Sequence, residues 1–176
     1  YEYYISEEDP HDRSVTDWLL DSSAMSHVLT GARDVAGKIF LEAVPSSRAF
    51  LGVIIDALRE NRRLKFDYHS YTRSKPTSGI VFEPYLLKIF RQRWYVAGRN
   101  VAEGRIKTYA LDRMNSCVMT TDGFTPDPTF NAESYFHDAF GIVVTESEPR
   151  SVVIRTDPRQ AKYFRALPLH HSQEEM

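Results

Sequence analysis

The chain has 176 residues, 42% hydrophobic and 12% aromatic, with a formal net charge of −2. That composition supports a core and excludes a disordered chain, and the length fits one domain or two small pieces. No apolar run approaches the ~18 residues of a membrane span, and no N-terminal signal pattern is visible. The single cysteine, Cys117, excludes an internal disulfide framework and fits a reducing cytoplasm.

The small net charge hides an uneven distribution. Between Arg59 and Arg113 there are 13 Lys+Arg against 5 Asp+Glu, whereas the remainder holds 9 basic and 19 acidic residues. A basic centre flanked by acidic ends points to an anionic partner at the centre. The bland alternative is that the acidic ends neutralise it.

In chain order, Tyr1, Tyr3 and Ile5 alternate with Glu2, Tyr4 and Ser6 as in a strand. The absence of partner strands, and of an initiating Met, leads to the expectation of a missing upstream module. Residues 14–44 read as helical, with Ser14 or Thr16 as cap and Trp18–Leu20 opening an apolar face. Pro45 ends that run. Ser46 or Ser47 can cap a further helix from Arg48 to Arg62, with Phe50, Leu51, Ile54, Ile55 and Leu58 at i, i+3, i+4 spacing.

The period then changes to two. Leu64, Phe66 and Tyr68 alternate with Lys65, Asp67 and His69. Ser70–Ser78 is a loop, and Gly79–Leu87 a strand in which Pro84 suits an edge or a bend. Lys88–Asn100, KIFRQRWYVAGRN, reads as a tight hairpin or one bent strand, with Trp94 and Val96 on one side and Tyr95 and Ala97 on the other. After a turn at Asn100–Gly104, Ile106–Leu111 and Cys117–Thr121 are further strands. Four or five short strands in so few residues imply a small, strongly bent sheet or barrel. Beyond Pro126, Ala132–Phe140 reads as a short helix, Ser151–Thr156 as a strand and Pro158–Leu167 as a helix starting on proline. A β–α start of this kind suggests the opening of a truncated α/β domain.

No catalytic motif is present: no nucleophile elbow, phosphate-loop lysine or dinucleotide-binding glycine pattern. The six histidines lack zinc-ligand spacing, adjacent His170 and His171 are expected to point their rings apart, and Cys117 is expected to be a buried small hydrophobe. What remains is cations interleaved with aromatics, a mixture that can hold phosphates by charge and bases by stacking. Arg113, after Leu111-Asp112 at an otherwise apolar strand end, is the leading candidate. Its bland alternative is an ion pair with Asp112 or a neighbouring strand.

These residues form a recognisable pattern. Trp94-Tyr95-Val96 resembles the Trp-Tyr-Leu signature that names the WYL domain. Phe66-Asp67-Tyr68 resembles its opening strand, Glu83-Pro84-Tyr85-Leu86-Leu87 its Pro-x-x-Leu strand, and Lys107-Thr108-Tyr109-Ala110-Leu111-Asp112-Arg113-Met114 its basic-x-aromatic-x-Leu-Asp-Arg-Ile segment. Phe124 fits the aromatic that follows, and Leu167–Gln173 resembles an early stretch of the extension that commonly follows the domain.

The resemblance implies an α+β chain in three parts. Residues 1–62 would be the end of a winged-helix wing and a helical connector, 63–125 an Sm-like, SH3-like five-stranded β-barrel, and 126–176 a linker and truncated C-terminal extension. It further implies a cytoplasmic bacterial transcriptional regulator whose basic patch binds a nucleotide or single-stranded nucleic acid. Duplex DNA would be bound by a helix-turn-helix domain not in this chain, in a homodimer, with no enzyme activity, cofactor or metal. By position Tyr68, Lys107 and Arg113 match the patch; Lys88, Arg93 and Tyr95 are added from charge and expected facing. The chain departs from the family in having Tyr85 where many members have histidine, and Lys107 and Ala110 where many have arginine. Lysine keeps the charge but loses the bidentate fork. The alternatives are a nucleic-acid-binding barrel with no sensing role and, behind it, a nucleotide-processing enzyme.

Overall fold

The computed structural model describes residues 48–91, 93–145 and 147–176. The expected strand at 1–9 and the helices at 14–44 lie outside them. A 3-10 turn, Arg48–Phe50, leads into helix α1, Leu51–Glu60, which stops where Asn61 turns left-handed at φ 50°. Five strands follow: β1 Arg62–Tyr68, β2 Thr77–Phe90, β3 Arg93–Asn100, β4 Arg105–Ala110 and β5 Met114–Gly123. They form one antiparallel sheet in the order β4-β3-β2-β1-β5. Helix α2, Pro158–Ala166, comes last. The architecture is α+β, as expected.

The alternation read from the sequence sets the inner face. Leu64 and Phe66 of β1, Phe82 of β2, Val96 of β3 and Tyr109 of β4 pack with Leu111, Met114 and Cys117, under Ile54 and Ala57 of α1. Cys117 is buried, as expected, and burial pushes its thiol up to about 11. The rings of Phe66, Tyr68 and Phe82 meet Tyr109 edge-on at 5.1, 4.9 and 5.3 Å, the arrangement aromatic quadrupoles favour. In α1 the expected face is rotated slightly: Ala57 is fully buried while Ile55 is 46% exposed.

β2 and β3 form the expected hairpin, with Phe90 paired to Arg93 and Arg91 at φ 48° at the tip. β2 is longer than the expected Gly79–Leu87, beginning at Thr77 and running on through the hairpin's first arm to Phe90. β1 pairs with β2 only up to Phe82, so Pro84 has no strand on that side and its missing N–H costs nothing. The β2–β3 register shifts between Pro84 and Leu86, opposite Gly98. A Cβ on Gly98 would overlap the Glu83 carbonyl oxygen and sit 2.9 Å from the Phe82 ring, so glycine is required there.

The edge strands β4 and β5 are consecutive in sequence, joined by a single 3-10 turn at Leu111–Arg113. In a flat sheet four strand spacings would separate them by about 19 Å. The link from Ala110 to Met114 reaches at most about 14 Å. The sheet must therefore curl until its edges approach at this corner. There the Ala110 amide donates to the Tyr68 hydroxyl at 3.4 Å, and the His69 amide donates to the Arg113 carbonyl at 3.0 Å. No ladder joins β4 to β5 among the described residues, so the sheet is curled but not closed by hydrogen bonds.

Residues after β5 lie against the outer face. Tyr85 stacks on Phe124 at 5.9 Å and meets Phe130 at 4.9 Å, and Phe130 meets Tyr135. This cover explains why Tyr95 and Ala97 are buried along with Val96. Two expectations fail here. Ala132–Phe140 is a chain of turns rather than a helix. The Asn131 side chain accepts from the Glu133 and Ser134 amides, and the rings of Tyr135 and Phe136 pack against Phe130 and the Lys88 ammonium. Ser151–Thr156 forms no strand, and Val152, Val153 and Ile154 are exposed: alternation needs a ladder partner, and none of the described strands supplies one. α2 forms as read, with Asp157 capping the Arg159 and Gln160 amides and proline in the first turn.

Candidate ligand-binding surface

The corner where β4 passes into β5 gathers four of the six expected residues. Tyr68 ends β1 with its hydroxyl on the Ala110 amide. Ala110 pairs across β3 with Tyr95, which is 6% exposed. Arg93, two residues earlier on the same face, forms an ion pair with Asp112 of the 3-10 turn. The Asp112 hydrogen bond, with a smaller contribution from its charge, holds the Arg93 guanidinium above its ordinary range. Arg113 follows, its guanidinium 4.0 Å from the centroid of the Tyr71 ring. Asp112 thus pairs with Arg93 and not with Arg113. Among the described residues no carboxylate comes within ion-pair distance of Arg113.

The polar bookkeeping of this corner is incomplete. Among the described residues, the buried side-chain polar atoms without a partner are Arg93 Nε, Asp112 Oδ1 and Arg113 Nε. Folded proteins pair the large majority of such atoms, and each one left unmade costs about 1–3 kcal/mol. All three lie within one ion pair and one adjacent residue.

The other two residues sit apart. Lys88 lies on the outer face opposite Tyr95, donating to the Gly141 carbonyl at 3.1 Å with its ammonium 4.0 Å from the Phe136 centroid. Burial holds its pKa below the usual lysine value. Gly141, at φ 90°, lies so close to the Phe90 ring that a Cβ would be 2.7 Å away, which fixes this cover over β2. Lys107 is three residues down β4, about 10 Å from the corner, paired with Glu103 on the tyrosine-bearing inner face. Its hydrogen bond holds the Glu103 carboxyl below the usual range.

Two cavities, about 420 and 220 Å³, lie along residues 134–150 and between Leu58, Tyr85 and Phe130. Neither is lined by any of the six residues. Sequence reasoning missed Tyr71, a large ring alone in the polar loop Ser70–Ser78 and 74% exposed. That isolation was its one available signal. Among the described residues no group of three or more His, Cys, Asp or Glu could hold a metal ion. No helix there is long and apolar enough to cross a membrane.

The fold and corner define a class: a small curled five-stranded sheet, capped by one helix, presenting cations and rings at one edge. Residues 49–119 match the family model described as the WYL domain. A solved structure, the proteasome accessory factor B/C (PafBC) of Arthrobacter aurescens, is similar at 23% identity and a TM-score of 0.49; the match covers 56% of this chain and 15% of that one. No curated protein matches the chain.

Proposed function

We propose that this WYL domain is the ligand-sensing module of a bacterial transcriptional regulator, and that the Arg93–Asp112–Arg113 corner receives an anionic ligand, a nucleotide or single-stranded nucleic acid. The observation that carries the reading is the pair of unpartnered guanidinium donors, Arg93 Nε and Arg113 Nε, the second on an arginine with no carboxylate partner; the third unpartnered atom, Asp112 Oδ1, is an acceptor and has no part in holding an anion. Two guanidiniums supply planar donors for phosphate oxygens. Tyr71, exposed and already under Arg113, offers a face on which a base can stack. Tyr68 and Tyr95 position the corner from β1 and β3. Lys88 and Lys107 flank it and contribute long-range charge.

The three-part division at residues 62 and 125 and an Sm-like, SH3-like five-stranded barrel belong to the same reading; the curl that brings β4 to β5 supports it. So do a helix-turn-helix DNA-binding domain, a homodimer, the cytoplasm and the lack of catalysis. Signalling requires that the ligand bind one arrangement of domains more tightly than another.

The test is Arg113→Ala, measured by calorimetry against a panel of nucleotides and short oligonucleotides. Loss of a charge-assisted hydrogen bond should weaken binding by roughly 1.5–3 kcal/mol, about 10–150-fold, with the fold intact. Unchanged binding of every anion that the parent chain takes up retires the assignment. A uniform, steeply salt-dependent affinity with no preference for short nucleotides would favour a plain nucleic-acid-binding surface.

A further inference from the structure

His137 meets the adjacent pair His170 and His171 across 33 residues of sequence. His137 lies in the turns that follow β5, and His170 and His171 follow α2. The His171 ring centroid is 4.2 Å from that of His137 and 4.1 Å from that of His170. This corrects the expectation that the adjacent rings point apart: both turn toward His137. His170 Nε2 lies 2.9 Å from the His137 carbonyl oxygen, and His171 Nε2 lies 3.0 Å from His137 Nε2.

The partners set the tautomers of His170 and His137. His170 must carry its proton on Nε2 to donate to a carbonyl, which leaves Nδ1 to accept from the Ser172 hydroxyl and amide. His137 Nδ1 faces the Asp138 carboxylate at 2.8 Å and so carries a proton there. With both rings neutral its Nε2 then presents a lone pair, to which His171 donates from Nε2. The His171–His137 contact needs at least one of the two rings neutral, and the Ser172 contacts as described need His170 unprotonated at Nδ1.

We propose that His137, His170 and His171 form a proton-operated clasp, holding the segment after α2 against the turns that cover the outer sheet face and releasing it on acidification. One proton added to the His137–His171 pair is shared between the two Nε2 atoms, and it is protonation of both rings that sets N–H against N–H across 3.0 Å. A proton on His170 Nδ1 would remove the acceptor of the Ser172 amide. Both effects act in the same direction. The charged and titratable groups facing His171 are His170, His137 and Asp138, and the carboxylate is already engaged by His137. Partial loss of water and then the two neighbouring imidazoles hold His171 below the ordinary histidine value of 6.5, outweighing Asp138. The released state therefore binds more protons, and the clasp weakens as pH falls through and below that value. The turns it grips run to Phe136 and Gly141, which hold Lys88, so release loosens the cover over β2.

The test uses the full chain with a spin label on Glu174→Cys and reads relaxation enhancement of the amides at 134–140 by NMR. Cys117 is buried and does not compete for label. The expected result is strong enhancement at pH 8 that is lost at pH 5. His171→Asn keeps a donor but cannot titrate on that side, and should retain enhancement further into acid. His171→Ala should lose most of it at both pH values. Enhancement equal at pH 8 and pH 5 in the parent chain, with native dispersion at both, overturns the clasp. So does an acid loss identical in His171→Asn.

Discussion

Replacing Asp112 by Asn separates the structural role of the cationic corner from its binding role, because the two should move in opposite directions. Asp112 is 8% exposed and Arg93 26% exposed. Breaking a fully buried ion pair costs about 3–5 kcal/mol, since the surviving charge is left without compensation. Arg93 is reached by water, which screens that loss, and the asparagine oxygen can still accept one hydrogen bond. The expected destabilisation is therefore about 1–2 kcal/mol, read as a lower urea midpoint with an unchanged slope. Removing the carboxylate also unmasks a cation beside Arg113. A single charge at ~6 Å and an effective dielectric near 20 to 80 contributes about 0.7–3 kcal/mol, so affinity for an anionic oligonucleotide should rise by roughly threefold or more. Fluorescence anisotropy at two salt concentrations measures this, with a larger gain at low salt. Weaker anion binding by a folded Asp112→Asn protein would refute the reasoning, since Asp112 would then be a ligand contact or a required positioner of Arg93.

Other perturbations test the frame that holds the corner. Tyr109→Phe removes the hydroxyl that accepts from the Asn100 side chain at 2.9 Å; with Asn100 itself 5% exposed, the orphaned donor should cost about 1–3 kcal/mol by chemical denaturation. Gly98→Ala should cost more than the ~1 kcal/mol typical of a point mutation, because the methyl group meets the Glu83 carbonyl across the bulge, and circular dichroism melting checks it. Lys107 and Arg105 hold the Glu103 carboxyl below 4.5, so the stability they supply is present above that pH and is lost as pH falls through the depressed value. Glu103→Gln should flatten that acid limb by about 0.5 kcal/mol in stability measured against pH. Cys117, buried with its thiol raised to about 11, should react with a thiol reagent at pH 8 only as fast as the domain opens, so that denaturant accelerates labelling.

Much of the sheet was legible because its signals are local. Leu64, Phe66 and Tyr68 alternate against a core that does sit on one side, and Trp94 and Val96 face it while Tyr95 turns away. Pro84, read as suited to an edge or a bend, sits where β1 stops short and the β2–β3 register shifts. Local signals failed where packing decided the outcome. Tyr135 and Phe136 lie in a segment that reads as a helix, but both rings are claimed by neighbours and the backbone turns to deliver them. Val152–Ile154 carry strand chemistry without a partner. His170 and His171 could not be placed beside His137 from spacing alone, because 33 residues separate His137 from His170 and the contact depends on where α2 ends.

The candidate site was legible residue by residue and illegible as a place. Period-two alternation assigns Arg93 and Tyr95 to one face of the sheet and Tyr68 and Lys107 to the other, so taken flat it would divide them. What unites Tyr68, Arg93 and Arg113 is the three-residue passage from β4 to β5, which forces the two edges together and removes the distinction between faces at that end. Lys107 and Lys88, further from the passage, stay on their own faces and find other partners, Glu103 and the Gly141 carbonyl. Charge counting located the basic segment, but it could not tell a neutralised cation from an available one. Arg93 is neutralised by Asp112, which leaves Arg113 without a carboxylate and directs it to the Tyr71 ring. The availability of Arg113 is thus a consequence of its neighbour's choice of partner.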